Sequence, residues 1–231
     1  TIGSNGMAKC AYCGRSGWLL SVNTLGVCKA CSPVVALAIE GHRRVLIESE
    51  RIVQTTSNTK TRISRLNTIL DHCLALKANY ADKGVRISSE IDPAIQSARE
   101  QLSEAIRGEL MDIVSTARRK SEDAISDTSK LGAYNKAIES ASSLDEYHHV
   151  GDDLVESVIT ALRNERDDLR FQLLTSKAEI EVSKKKPKKA IEIYIETIAM
   201  FESNSRFVSR LAAARQRIDA LQGPSRELPS A

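Results

Sequence analysis

Aromatic side chains make up only 4% of the chain, with one Trp, five Tyr and three Phe. A thick core built on large rings is therefore excluded. No apolar run approaches the ~18 residues of a membrane span. No secretory leader follows Met7, and the expected setting is soluble, cytoplasmic and reducing. Thr1 to Gly6 read as an expression scar and stand outside the fold reasoning. No Gly-rich phosphate loop, no Gly-x-Ser-x-Gly and no His-Glu-x-x-His occurs, and the four histidines pair with no evident nucleophile. The expectation is a protein without a catalytic constellation. Acid is absent from the start of the chain up to Glu40.

What is present is helical in character. Charged residues make up 27%, and Ala, Ile, Leu, Glu, Arg and Lys recur at three- and four-residue spacing. That composition suits long helices with narrow apolar seams. The net charge of +3 hides a segregation. Residues 1–83 are basic, 84–162 acidic and 163–231 basic, a pattern that marks either solvated helix faces of differing sign or a field able to steer partners or favour antiparallel self-association.

Four of the five cysteines fall in one short window. Cys10-Ala-Tyr-Cys13-Gly14 is followed, after fourteen intervening residues, by Cys28-Lys-Ala-Cys31. Two matched Cys-x-x-Cys pairs can set four thiolates at the corners of a tetrahedron, with Zn–S bonds of roughly 2.3 Å. Gly14 relieves the positive φ that such a knuckle requires. A complete set of four Cys leaves no open position for catalysis, and His42 could enter only by displacing one of them. A redox pair would want a βαβ context, which the helical remainder does not offer.

This stretch resembles the zinc-ribbon families, in which two knuckles sit at the ends of a short hairpin. The resemblance implies one structural Zn2+ per chain and a contact with protein or nucleic acid. Trp18-Leu19-Leu20 would form one strand, Asn23 to Gly26 a turn, and Val27 the start of the return strand. The apolar interval from Trp18 to Leu20 would pack on the following helix.

That helix opens at Ser32-Pro33, read as a capping hydroxyl and a first-turn Pro, and runs to about Gln54. Its stripe holds Val35, Ala38, Ile39, Val45, Leu46, Ile52 and Val53. A second helix spans 59–82 with Ile63, Leu66, Ile69, Leu70, Cys73, Leu74 and Tyr80 on one face, and the pair should form an antiparallel hairpin. Cys73 reads as a small buried hydrophobe. Asp92-Pro93 opens the longest segment, with Ile95, Ala98, Leu102, Ala105, Ile106, Leu110, Ile113, Val114 and Ala117 at three- and four-residue spacing and Ala124, Ile125 and Leu131 as its expected extension to Gly132. A short piece follows over 134–142.

Asp145 to Asp153 carries His148, His149, Asp152 and Asp153. Adjacent histidines point about 100° apart on a helix and rarely share a metal, so this is read as a linker. After Gly151 another long helix restarts, with Val155, Val158, Ile159, Leu162, Leu169, Leu173, Ser176 and Ile180 along its seam.

Residues 177–201 resemble one tetratricopeptide unit, through Lys177-Ala178, Lys188-Lys189-Ala190-Ile191, Tyr194 and Thr197-Ile198-Ala199. One unit cannot bury its face alone. The expectation is a helix pair covered by a last helix over 205–221. Lys184-Lys185-Lys186-Pro187-Lys188-Lys189 would be the solvated turn of that pair.

The resulting fold class is mainly α: a small N-terminal zinc ribbon on an elongated body of long helices, with a helical hairpin at the C-terminus. The divisions are 1–6, a ribbon over 7–33, a long-helix body over 34–150, a tetratricopeptide-like region over 151–222 and a polar tail over 223–231. The arrangement also resembles bacterial proteins that join an N-terminal ribbon to a helical body. The functional reading is a non-enzymatic scaffold that binds a peptide or helix of another protein, with self-association as a further option and no membrane contact. The alternative is a nucleic-acid-binding accessory protein. Its contacts would be Lys9, Arg15 and Lys29 on the ribbon and Lys184, Lys185, Lys186, Lys188 and Lys189 at the turn.

Overall fold

The computed structural model describes residues 7–87, 90–144, 147 and 152–223. The scar at 1–6, most of the His148–His149 linker and the tail from Pro224 onward lie outside the described residues. Within the described residues the chain is mainly α, with a very small N-terminal β element. Strands β1 (Ala8–Lys9) and β2 (Ser16–Gly17) pair antiparallel. Seven α-helices follow among the described residues: α1 (Ser32–Thr55), α2 (Thr59–Asn79), α3 (Ile91–Asp123), α4 (Asp127–Ser142), α5 (Asp152–Ser183), α6 (Pro187–Phe201) and α7 (Val208–Gln222). The chain divides into two compact units. Unit 1 holds residues up to Ile113 with Ser143–Val155, and unit 2 holds Val114–Ser142 with the remainder from Glu156.

In unit 1, α1 and α2 form the expected antiparallel hairpin, with Val35 in one cluster with Leu76 and Tyr80 and His42 beside His72. The buried stripe of α2 holds Ile63, Leu66, Ile69, Leu70 and Cys73 as its periodicity predicts, with Leu76 in place of the expected Leu74, which is half-buried. Asn58 caps α2 by accepting a hydrogen bond from Thr61 N–H at 2.9 Å, which fixes the start of the helix. The helix ends at Asn79 rather than at Asp82. A 3-10 turn over Ala81–Lys83 and a left-handed Gly84 (φ 84°) then reverse the chain. Lys77 and Asp92 form an ion pair at 2.6 Å between α2 and the start of α3.

Of the α3 stripe, Ile95, Ala98, Leu102, Ile106, Leu110 and Ala117 are buried as expected, while Ala105, Ile113 and Val114 are half-buried. The helix does not run on to Gly132. It stops at Asp123, and Gly132 lies inside α4. The reason is a local cap. Ser126 Oγ accepts from Ser129 N–H at 3.1 Å and also meets Ser129 Oγ at 2.7 Å. This hydroxyl offers the backbone a new helix start, with Asp127 in the first turn favoured by the dipole. Ile125, read as a continuation of the seam, is fully exposed.

In unit 2, helices α5, α6 and α7 build two apolar clusters. Phe171, Phe201 and Phe207 meet at centroid distances of 4.5 to 5.5 Å, with Leu211 beside them. Ala178, Ile193, Tyr194 and Ala214 form the second. The seam of α5 therefore passes through Phe171, Leu174 and Ala178. The expected Ser176 and Ile180 are exposed instead. The last helix arrives as anticipated. Asn204 accepts from Arg206 N–H at 3.1 Å, a 3-10 turn spans Ser205–Phe207, and Gly223 (φ 76°) ends α7.

The turn between α5 and α6 has a defined form. Lys185 N–H reaches Val182 O at 2.8 Å and Lys186 N–H reaches Glu181 O at 2.9 Å. These are the paired bonds of a Schellman ending. The left-handed position, usually Gly, is taken by Lys185 with φ 57°.

Candidate metal centre

The cysteines are positioned by short backbone devices. The β1–β2 pair closes the first knuckle, with Cys10 N–H bonded to Arg15 O at 2.8 Å and Gly14 N–H to Cys10 O at 2.9 Å. Gly14 takes φ 74°, the conformation the sequence assigned to it. In the second knuckle Val22 bridges to Cys28 across the turn at Asn23 to Gly26. Ser32 N–H then bonds Cys28 O at 2.9 Å. Ala11 N–H donates to Gly26 O at 3.0 Å and joins the two halves.

The strand assignment over Trp18 to Leu20 is corrected. The strand is Ser16–Gly17, and Trp18 and Leu19 lie on the turn after it. They are 83% and 80% exposed. Packing on the helical hairpin is done instead by Val27, with Leu20 and Leu25, against Val35, Ala38, Ile39, Leu76, Tyr80 and Val85. The capping assignment at Ser32 is corrected as well. Cys31 occupies the N-cap, Ser32 is the first helical residue and Pro33 lies in the first turn. The Ser32 hydroxyl accepts from Asn23 Nδ2 at 2.9 Å.

The sulfurs of Cys10, Cys13, Cys28 and Cys31 all lie within 4.8 Å of one another. Tetrahedral Zn–S bonds require sulfurs about 3.8 Å apart, and Cys13 and Cys28 are separated by 3.9 Å. A disulfide would need about 2.05 Å, and all five cysteines are free thiols. Cys10 and Cys28 are buried, Cys31 is half-buried and Cys13 is exposed.

The electrostatics suit a cation. Backbone N–H groups of Cys13 and Cys28 point at the Cys10 sulfur and lower its pKa to about 6 against desolvation. The Cys28 amide is 3.2 Å from it. Cys31 behaves in the opposite way. Its hydrogen bond to Cys28, its burial and the neighbouring Cys13 push it up to about 12. Crowded thiols resist losing their last proton, and a divalent ion at the centre reverses that resistance. Four converging sulfurs with an amide donor can thus hold a soft or borderline ion in a closed tetrahedral set.

Family models, curated proteins and solved structures give no match to this chain. The metal assignment therefore stands on the residues themselves.

Three supporting features escaped the sequence reading. Asn23 Oδ1 accepts from Leu25 and Val27 N–H at 3.0 and 3.1 Å, while its amide holds Ser32. Nothing but its place at a turn signalled this. The segment after α2 clasps the knuckle: Arg86 N–H donates to Leu25 O at 2.9 Å, and Val85 is buried. Tyr80 stacks on Tyr12 of the first knuckle, with ring centroids 6.1 Å apart.

The basic residues fall in two places. Lys9, Arg15 and Lys29 are exposed on the knuckles of unit 1. Lys184, Lys185, Lys186, Lys188 and Lys189 are exposed at the α5–α6 turn of unit 2. Within that run the buried Glu181 pairs with Lys184 at 3.1 Å and with Lys189 at 3.7 Å. Two of the five lysines are thus already engaged, and the cationic bond to Lys184 holds the Glu181 carboxyl below its ordinary pKa.

Proposed function

We propose that the chain is a zinc-binding, non-enzymatic adaptor whose knuckle end docks on another protein in a reducing, cytoplasmic compartment. Zinc is the ion that a closed four-thiolate set suits best, and its role is structural. The observation that carries the docking role is an apolar exposure at this end. Trp18, Leu19, Val34 and Leu37 are 83%, 80%, 62% and 76% exposed. The first two turns of α1 present Pro33, Val34, Ala36 and Leu37 to solvent with no charge before Glu40. Large exposed apolar groups gathered at one end mark an interaction surface, and Trp is among the residues enriched as anchors of one. The α5–α6 hairpin, read as a tetratricopeptide-like pair, would offer a second helical contact.

One observation favours a second reading. An exposed Trp amid Lys9, Arg15 and Lys29, with no acid nearby in sequence, also suits stacking and phosphate contacts.

Elemental analysis of protein purified without added zinc should give one equivalent. Less than half an equivalent, with four free thiols, defeats the metal assignment. Capture of partners from the cell extract, with and without nuclease, separates the two docking readings. The adaptor reading expects partners that survive nuclease and are lost from Trp18→Ser combined with Leu37→Ser. Partners that vanish with nuclease transfer the assignment to nucleic acid.

A further inference from the structure

In the sequence, His42 has a place at the cysteine cluster only by displacing one of the four thiolates. The fold gives it a different neighbour. On the α1–α2 hairpin it faces His72, thirty residues away in the chain, with the two Nδ1 atoms 2.9 Å apart. The ring centroids are 4.9 Å apart and the planes cross at 71°. Both rings are half-buried.

We infer that His42 and His72 form a second metal site, a two-imidazole chelate for a borderline divalent ion such as Zn2+, Ni2+ or Cu2+. The pair is held in place from both helices. Ile39 and Leu46, one turn to either side of His42, pack in the cluster that also includes Leu76, one turn beyond His72. Ile69, one turn before His72, is buried. Backbone positions fixed in this way preorganise the two ring nitrogens.

The distance suits an ion. Two Zn–N bonds of about 2.0–2.1 Å at a tetrahedral angle place the nitrogens about 3.3 Å apart. The observed separation is within half an ångström of that value. At present one Nδ1–H is shared with the other nitrogen. Moving that proton to Nε2 of the same ring leaves both Nδ1 lone pairs aimed at one point. No net proton is released and no redox change is needed.

The two sites differ in rank. Four thiolates close the coordination sphere of the first. Two imidazoles leave positions for water in the second, so the ion there exchanges readily and binds only when free metal is plentiful. The second site also has a route to the first. His42 meets the edge of Tyr80 at 6.5 Å, and Tyr80 belongs to the cluster that buries Cys10 and Cys28. An ion between the histidines clamps α1 to α2 beneath the cysteine centre.

The full chain is first loaded with one equivalent of Zn2+ and freed of excess. A second addition of Zn2+ is then followed by equilibrium dialysis with elemental analysis. The expected result is a second equivalent held at micromolar free metal, weakened at least tenfold in both His42→Gln and His72→Gln. The double variant keeps His148 and His149. Retention of the second ion in that variant overturns the assignment, as does a wild-type stoichiometry that stays at one. Imidazole 15N spectra of the wild-type protein give a check that depends on no variant. Both Nδ1 resonances should move to metal-bound positions with the proton on Nε2. Unmoved resonances at saturating zinc overturn the site.

Discussion

The knuckle end of unit 1 and the α5–α7 end of unit 2 solve one problem with different residues. Each must fix a few short elements around a small core. In unit 2 the chain places all three of its phenylalanines together. Arg210 lies over the Phe171 and Phe207 rings, at 5.9 and 5.3 Å, while it pairs with Asp168 at 2.7 Å. In unit 1 the corresponding cluster has no Phe. Its buried members are Val27, Val35, Leu76, Tyr80 and Val85 together with two cysteines. The knuckles themselves contribute only Val27 and two cysteines to its buried part, with Ala11, Leu20, Leu25 and Cys31 beside them, too little apolar area to fold on burial alone. Unit 2 spends its phenylalanines on one cluster, whereas the knuckle end has only the Tyr12–Tyr80 stack and four cysteines able to hold an ion.

That contrast breaks most sharply at the cysteines. Cys13→Ser should remove stoichiometric metal, because structural zinc binding supplies roughly 10–16 kcal/mol of folding free energy in small domains. The knuckles should then become susceptible to protease while most of the helical circular dichroism remains. A variant that keeps its metal would mean that three thiolates suffice. Phe207→Ala tests the other side. Phe207 is fully buried, and its truncation should cost about 3–5 kcal/mol in urea unfolding. Its metal content should stay unchanged.

Acid sharpens the comparison at a lower level. Arg118 donates to Glu165 at 2.5 and 3.0 Å, Tyr134 at 3.3 Å, and together they hold this carboxyl below its ordinary pKa of 4.5. A depressed carboxylate stabilises the fold at pH values above its unfolded pKa. That contribution is lost as the pH falls through the folded value. Unit 2 should therefore soften below about pH 4.5, and Glu165→Gln should flatten that slope. An unchanged pH profile in the variant would count against the ion pair.

The smallest effect belongs to the α5–α6 turn. Lys185 sits at φ 57°, a conformation that costs a non-glycine residue about 1 kcal/mol. Lys185→Gly should raise stability by up to that amount while leaving metal binding untouched, as read by paired thermal melts and metal analysis. A loss of stability would show that the Lys185 side chain contributes more than its strained backbone costs.

Much of this was legible because it depends on local rules. The four cysteines, the positive φ of Gly14, the hairpin of α1 and α2 and the turn before Pro187 follow from spacing and turn chemistry. The stripes of α2 and α3 follow from periodicity. The break at Ser126 is local too, but an apolar period running on through Ala124 and Ile125 masks its capping hydroxyl. Trp18 and Leu19 were misread because hydrophobicity gives no direction at a turn. The meeting of His42 with His72 is a long-range consequence of helix pairing, which no single stretch of sequence records.

Cys31 is at once the last sulfur of the cluster and the N-cap of α1. No spacer separates the sulfur cluster from the helix, so the arrangement of the four sulfurs also sets the phase of α1. One residue inserted between Cys31 and Val35 would turn everything downstream by about 100°. Val35 would leave the cluster beside Tyr80, and the exposed row of Val34 and Leu37 would swing toward the hairpin. The knuckle therefore cannot be moved between proteins as a detachable cassette. It works as a key cut to one helix, and a graft must carry the register of α1 with it.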